Sequence, residues 1–282
     1  MFPALISAVG NAGELILDKI TLSKRGVPLR LFLPIAFVFL FVLTVIFTPF
    51  FGFINYQTAL LPNNLFLALL MIVTAVAWNV LIYQNIRDES VHRHEVMMMT
   101  APLVTVLMAA VFFQEEFNLS IFILSLIASV ALIFARTERH HFKIDKNSAN
   151  LFLAVILMSV ESIIIRELLR SYSPVSLYAI RTFFIGLFFL LYYQPKWKDV
   201  ARSPLWLIGL SSAVGVTQMV AKFYAFDSLG VVFTTLVSTL GPIIVFLGSW
   251  EILHERIRPR VVIAAVVILA CVTVATVIAG SS

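Results

Sequence analysis

Apolar residues run along this chain in blocks of about 20, the length a helix needs to cross a hydrocarbon core, and short polar turns divide them. Residues 31–86 contain no Asp, Glu, Lys or Arg, so this run holds two spans joined by a turn, PFFGFINYQTALLPNN, rich in Pro, Gly and Asn. The same test along the chain gives ten spans, near 2–22, 31–48, 65–86, 91–113, 119–136, 149–169, 174–193, 204–225, 229–250 and 260–279. The predicted fold is all-α: a polytopic membrane protein with ten transmembrane helices and short connections.

The longest charged connection, RTERHHFKIDKNSAN, falls between spans five and six. It divides the chain into a first repeat at 1–137, a charged loop at 138–148 and a second repeat at 149–282. Helices three to five map onto eight to ten at an offset of 140 residues, as from Pro102 to Pro242. Helix one maps onto helix six at 147, which pairs Glu14 with Glu161 and Lys19 with Arg166. Five spans is an odd number, so the second repeat must enter the membrane inverted. Inverted repeats place a transporter's substrate site near the midplane, between the halves.

Composition agrees with the pattern. Hydrophobic residues are 61% and charged residues 12%, too little charge to coat a soluble protein of 282 residues. The N-terminus has no basic region before its first apolar segment, so a cleaved signal peptide is not expected. A single cysteine, Cys271, excludes an intramolecular disulfide and reads as packing. The net charge of +5 does not point to nucleic acid, because 16 of the 20 Lys and Arg lie in or beside odd-numbered connections. There they govern orientation, and the bias puts both termini outside the cytoplasm.

The stretch GVVFTTLVSTLGPIIVFLGSWEILHERIRPR, 230–260, is an apolar helix with an internal proline, closed by His254-Glu255-Arg256. Its Pro242-to-Glu255 spacing recurs as Pro102 to Glu115, where Glu116 replaces the arginine. A proline, an apolar run and a terminal Glu-Arg resemble the repeat unit of EamA-type transporters in the drug/metabolite transporter superfamily. The segment SPVSLYAIRTFFIGLFFLLYY, 173–193, also resembles that family's second repeat helix, with its early arginine at Arg181. The resemblance implies a ten-helix transporter with both termini inside, opposite to the charge bias. Small multidrug relatives of the superfamily use a first-helix glutamate for proton coupling, which makes Glu14 the first choice here by analogy.

Charges within spans are costly and functional by default. Asn11, Glu14, Asp18 and Thr21 lie three or four apart, on one face of helix one. Glu14 and Asp18 form a like-charged i,i+4 pair, an arrangement suited to accepting a proton. Glu161 occupies the equivalent depth in helix six. Pairing with Lys19, Arg166 or Arg181 is the plainer use of these carboxylates. Gln218 and Lys222 share a face of helix eight, and Gln218 is the repeat equivalent of Trp78. Lys222 either snorkels to the interface or points inward to hold an anion, and Arg181 is a similar anion candidate. Tyr83, Tyr178 and Tyr224 suit an interfacial belt better than a cavity mouth. Thr100, Thr105, Thr234, Thr235, Ser238 and Thr239 suit close helix packing. Pro102 and Pro242 are expected to kink their helices, and Glu115 and Glu255 to bond turn backbone.

No metal or cofactor is expected. His92 and His94 are two apart and do not share a helical face, so His92-Arg93-His94-Glu95 reads as a polar helix start. His140-His141 reads as solvated, and Met97, Met98 and Met99 as adaptable packing. No phosphate-binding glycine loop and no nucleophile–base constellation is present, so enzymatic activity is not expected. The reading is a secondary transporter, an exporter or exchanger, for a small organic metabolite, working by alternating access with proton coupling as one energy source. Its partners are the lipid bilayer and the metabolite, with no nucleic acid and with room for a homodimer. Its place is the plasma (inner) membrane, multi-pass. The rival is a non-transporting scaffold or receptor subunit that retains the fold.

Overall fold

The computed structural model describes residues 1–24, 26–88, 98–114, 117–136, 146–200, 204–244 and 259–281. Its long helices are α1 (Phe2–Lys19), α2 (Leu29–Phe51), α3 (Pro62–Asp88), α4 (Ala101–Phe112), α5 (Leu119–Arg136), α6 (Lys146–Leu168), α7 (Pro174–Tyr193), α8 (Leu205–Ser238) and α9 (Pro259–Ser281). Two short helices, Tyr56–Ala59 and Trp197–Val200, lie in the connections, and no strand occurs among the described residues. Among the described residues, five helices are long and apolar enough to cross a membrane: Leu29–Phe51, Pro62–Ile82, Pro174–Tyr193, Leu205–Ile244 and Pro259–Ala279. Ala101–Phe112 and Leu119–Ala135 are apolar but shorter.

Helix ends follow local chemistry. Ser173 caps α7, its Oγ accepting from the Ser176 N–H at 3.2 Å, and Pro174 occupies the first turn, where its missing N–H costs nothing. Gln194 ends α7 in the left-handed region at φ 42°. Spans eight and nine, expected as separate helices, are recorded as one element, α8, with helix resuming as far as Ile244 after a turn at Thr239. Forty residues of helix would reach about 60 Å, twice the hydrocarbon thickness. The chain breaks that length at Gly230, whose φ of 77° and ψ of 170° only glycine adopts readily. At the other end, α1 finishes in a π-helical turn, Ile20–Lys24, which no sequence signal announced.

Each helix of the first half packs on one of the second: α1 along α8, α2 along α7, α3 and α4 along α6, and α5 along α9. Two apolar cores result, one among α2, α3, α6, α7 and α8, the other among α1, α5, α8 and α9. The turn after α2 is stitched to the turn before α7. Ile54 and Tyr172 form an isolated antiparallel bridge, Phe53 N–H donates to Ser173 Oγ at 2.9 Å, and the Tyr172 hydroxyl donates to Ala59 O at 3.2 Å. Large apolar side chains cover the exterior, with Phe50 78% and Leu191 66% exposed. Such a surface would aggregate in water and matches lipid.

Candidate functional site

A polar stripe runs between the two cores, along α1, α8, α6 and α7. Glycines bring α1 against α8: a Cβ on Gly10 would lie 2.6 Å from Gln218 Cβ, and one on Gly215 would lie 2.5 Å from Glu14 Oε1. Small residues at such crossings let membrane helices approach closely. Glu14 lies over the Gly215 backbone and accepts from Gln218 Nε2 at 2.9 Å. One turn along α1, Asp18 accepts from Ser211 Oγ. Asn11 faces Gly241, where a Cβ would lie 3.4 Å from its Nδ2.

Across the bundle, Glu161 is buried and bound on both oxygens. Arg181 Nε donates to Oε1 at 2.6 Å and Nη2 to Oε2 at 3.4 Å, while Trp78 Nε1 donates to Oε2 at 2.6 Å. The Arg181 guanidinium lies 5.8 Å from the Trp78 ring centroid and 6.0 Å from that of Tyr178. Both contacts add cation–π attraction. Thr105 and Ser159 bridge α4 and α6 at 2.9 Å.

The two glutamates are held alike, each by an N–H from a helix of the opposite half. Glu14 of α1 takes the amide of α8, and Glu161 of α6 takes the indole of α3. Their surroundings then diverge. Arg181 and Trp78 are donors only, whereas a glutamine amide presents both a donor and an acceptor. Glu161 therefore meets only groups that favour a carboxylate, and Glu14 meets one that suits either protonation state.

Lys222 turns inward: its Nζ sits 5.4 Å from the Phe226 ring centroid, within electrostatic range of Glu161 and Arg181. Tyr178 is 2% exposed and packs edge-on to Phe223 at 5.7 Å, so the belt position expected for it is corrected to the core. Tyr224 is exposed as a belt residue is. Pro102 stands in the first turn of α4, directly after a turn at Met99–Thr100, and residues 91–97 of its expected span lie outside the described residues. Pro242 follows the turn at Thr239 that interrupts the helix, and the described residues resume as helix from Leu240 to Ile244. Ser211 was missed, because a serine in an apolar helix carries no distinguishing pattern. The side chains of Lys19 and Tyr83 lie outside the described residues, as do His92, Arg93, His94, Glu95, Met97, Glu115, His140, His141 and Glu255.

An all-helical, lipid-coated bundle with ionised groups along its centre is an integral, multi-pass membrane protein. Residues 148–277 match the model of the EamA-like transporter family, of the drug/metabolite transporter superfamily. A solved structure described as "Crystal structure of protein" shares the fold, with a TM-score of 0.77 and 15% identity. That similarity covers 99% of this chain and 97% of that one. No curated protein matches.

Proposed function

We propose that the protein is a secondary transporter, an exporter or exchanger, which moves a small organic metabolite across the plasma (inner) membrane by alternating access. Ten spans in two inverted repeats, 1–137 and 149–282, would rock about the polar stripe. The observation that carries this reading is the matched pair of contacts, Glu14 with Gln218 at 2.9 Å and Glu161 with Trp78 at 2.6 Å. Each joins equivalent positions of the two halves, so both halves contribute to one central site, as alternating access requires. The pairing of α1 with α8 and α3 with α6 supports the same symmetry. Transport, and not catalysis, is the reading that suits this site.

Arg181 neutralises Glu161 and makes it the fixed member. Among the described residues Glu14 has no bonded cation; the charges acting on it there are Asp18 on its own helix and Arg181 on α7. It is therefore the group that takes up a proton or a cationic part of the substrate, with Asp18 and Ser211 one turn nearer the end of the bundle. Gln218 can turn its amide from donor to acceptor as Glu14 changes state. Asn11 completes the polar wall on α1.

The test begins with a thermal-shift screen of amino acids, polyamines, nucleosides, sugar nucleotides and cationic dyes. The best ligand is then added to proteoliposomes that hold a pH-sensitive dye. Wild-type protein is expected to move protons with the ligand, and Glu14→Gln to carry ligand without proton movement. Proton-coupled flux that survives Glu14→Gln removes Glu14 from the mechanism. Absence of any flux favours a non-transporting scaffold.

A further inference from the structure

The charges along the stripe are not evenly paired. On the α1 side, Glu14 and Asp18 meet neutral donors, Gln218 and Ser211. Near α7 the balance is reversed. Glu161 is already occupied by Arg181 at 2.6 Å and by Trp78 at 2.6 Å. Lys222 shares the field of that same carboxylate and lies near a second cation, Arg181. Among the described residues its ammonium forms neither a hydrogen bond nor an ion pair, and its cation–π contact is the Phe226 ring at 5.4 Å. The bonds of Glu161 are thus taken by Arg181 and Trp78, and none goes to Lys222.

An ammonium held in apolar surroundings without a counter-ion is unfavourable, and a ring face offsets only part of that. Lys222 therefore feels the Glu161 carboxylate at a distance but has no anion bonded to it among the described residues. Glu14 does not supply it, because the charges acting on Glu14 are Asp18 and Arg181. One turn separates Lys222 from Gln218 on the same face of α8, so this ammonium borders the Glu14 site.

We propose that Lys222 anchors an anion subsite, which takes the carboxylate or phosphate oxygens of a small organic anion whose apolar part rests against Phe226. The subsite deepens the transport reading, and binding tests it separately from flux. Arg181 stays committed to Glu161 and adds long-range attraction. An anion here and a proton or cation at Glu14 would make the loaded stripe closer to neutral than the empty one.

Phenylacetate and phenyl phosphate, with phenylacetamide as the uncharged control, are titrated into full-length protein in neutral detergent, and affinity is read by calorimetry and thermal shift. Both acids are expected to bind and the amide not to. Lys222→Gln is expected to weaken acid binding about tenfold or more, with Lys222→Arg close to wild type. The acids should also protect Lys222 of the wild type from an amine-acetylating reagent, read by mass spectrometry, which tests the site even where Lys222→Gln does not fold. The proposal is overturned if neither acid binds wild type, if the amide binds equally, if Lys222→Gln binds the acids unchanged, or if acetylation is unaffected. It is also overturned if phosphatidylglycerol, and neither acid, gives the protection, which would make the occupant a lipid headgroup. Flux without acid binding would remove the subsite and keep transport; acid binding without flux would do the reverse.

Discussion

Replacing Arg181 by methionine leaves the Glu161 carboxylate inside the bundle with a single neutral donor, the Trp78 indole. The pair is well shielded, its side chains 3% and 5% exposed, and the closest contact is 2.6 Å. Stranding one member of such a pair costs about 3–5 kcal/mol. At roughly 2–4 °C per kcal/mol for a chain of this general size, unfolding should move down by roughly 6–20 °C. Glu161→Gln should cost a similar amount, because it leaves the guanidinium without a counter-ion. The double variant Glu161→Gln/Arg181→Met should recover to within about 2 kcal/mol of wild type, since the new amide oxygen still accepts from Trp78. Thermal unfolding of all four proteins in one detergent, read by tryptophan fluorescence, gives the coupling directly. Additive losses in the double variant, or single variants within about 0.5 kcal/mol of wild type, would refute the claim that burial makes this pair interdependent.

The remaining expectations use the same unfolding assay. Gly230→Ala forces a side chain into a backbone region essentially reserved for glycine and should cost about 1–3 kcal/mol. Gly10→Ala and Gly215→Ala should separate two effects at one helix crossing. The first pushes against Gln218 Cβ at 2.6 Å and Cα at 3.3 Å, and should lower stability by about 1–3 kcal/mol. The second meets the movable carboxylate of Glu14 at 2.5 Å, and should change stability by less than about 1 kcal/mol while uncoupling protons from flux in proteoliposomes. Ser173→Ala removes both the α7 cap and the acceptor of Phe53 N–H, and should cost about 0.5–2 kcal/mol.

Helix existence was legible where a long apolar run decided it: the spans expected at 119–136 and 174–193 are α5 and α7 to the residue. The repeat offset aligned Glu14 with Glu161, and each takes an N–H from a helix of the other half. Their donors were not legible. Gln218 lies 204 residues from Glu14, and Trp78 lies 83 from Glu161, and no local pattern ties such positions together. Lys222 shows the limit in another way. Its place within a turn of the predicted span end fitted snorkelling, but the helix runs on past Asp227 to the break at Gly230, and the ammonium lies against the Phe226 ring. Tyr178 was misplaced for a related reason: near a helix end in sequence, it lies under the stitched turns that bury that end.

The contact between Glu14 and Gln218 also has a cost in time. At about 5–20 residues per second, the ribosome needs roughly 10–40 s to make the 204 residues that separate them. Through that interval α1 lacks the Gln218 donor of Glu14, and for a shorter part of it, the 83 residues from Trp78 to Glu161, the Trp78 indole has no carboxylate to meet. The first half of the chain is thus an obligatory waiting intermediate, marked as unfinished by its own intramembrane carboxylates. A chain cut after the first half would display that mark permanently, as a substrate for membrane quality control and not as half a working protein.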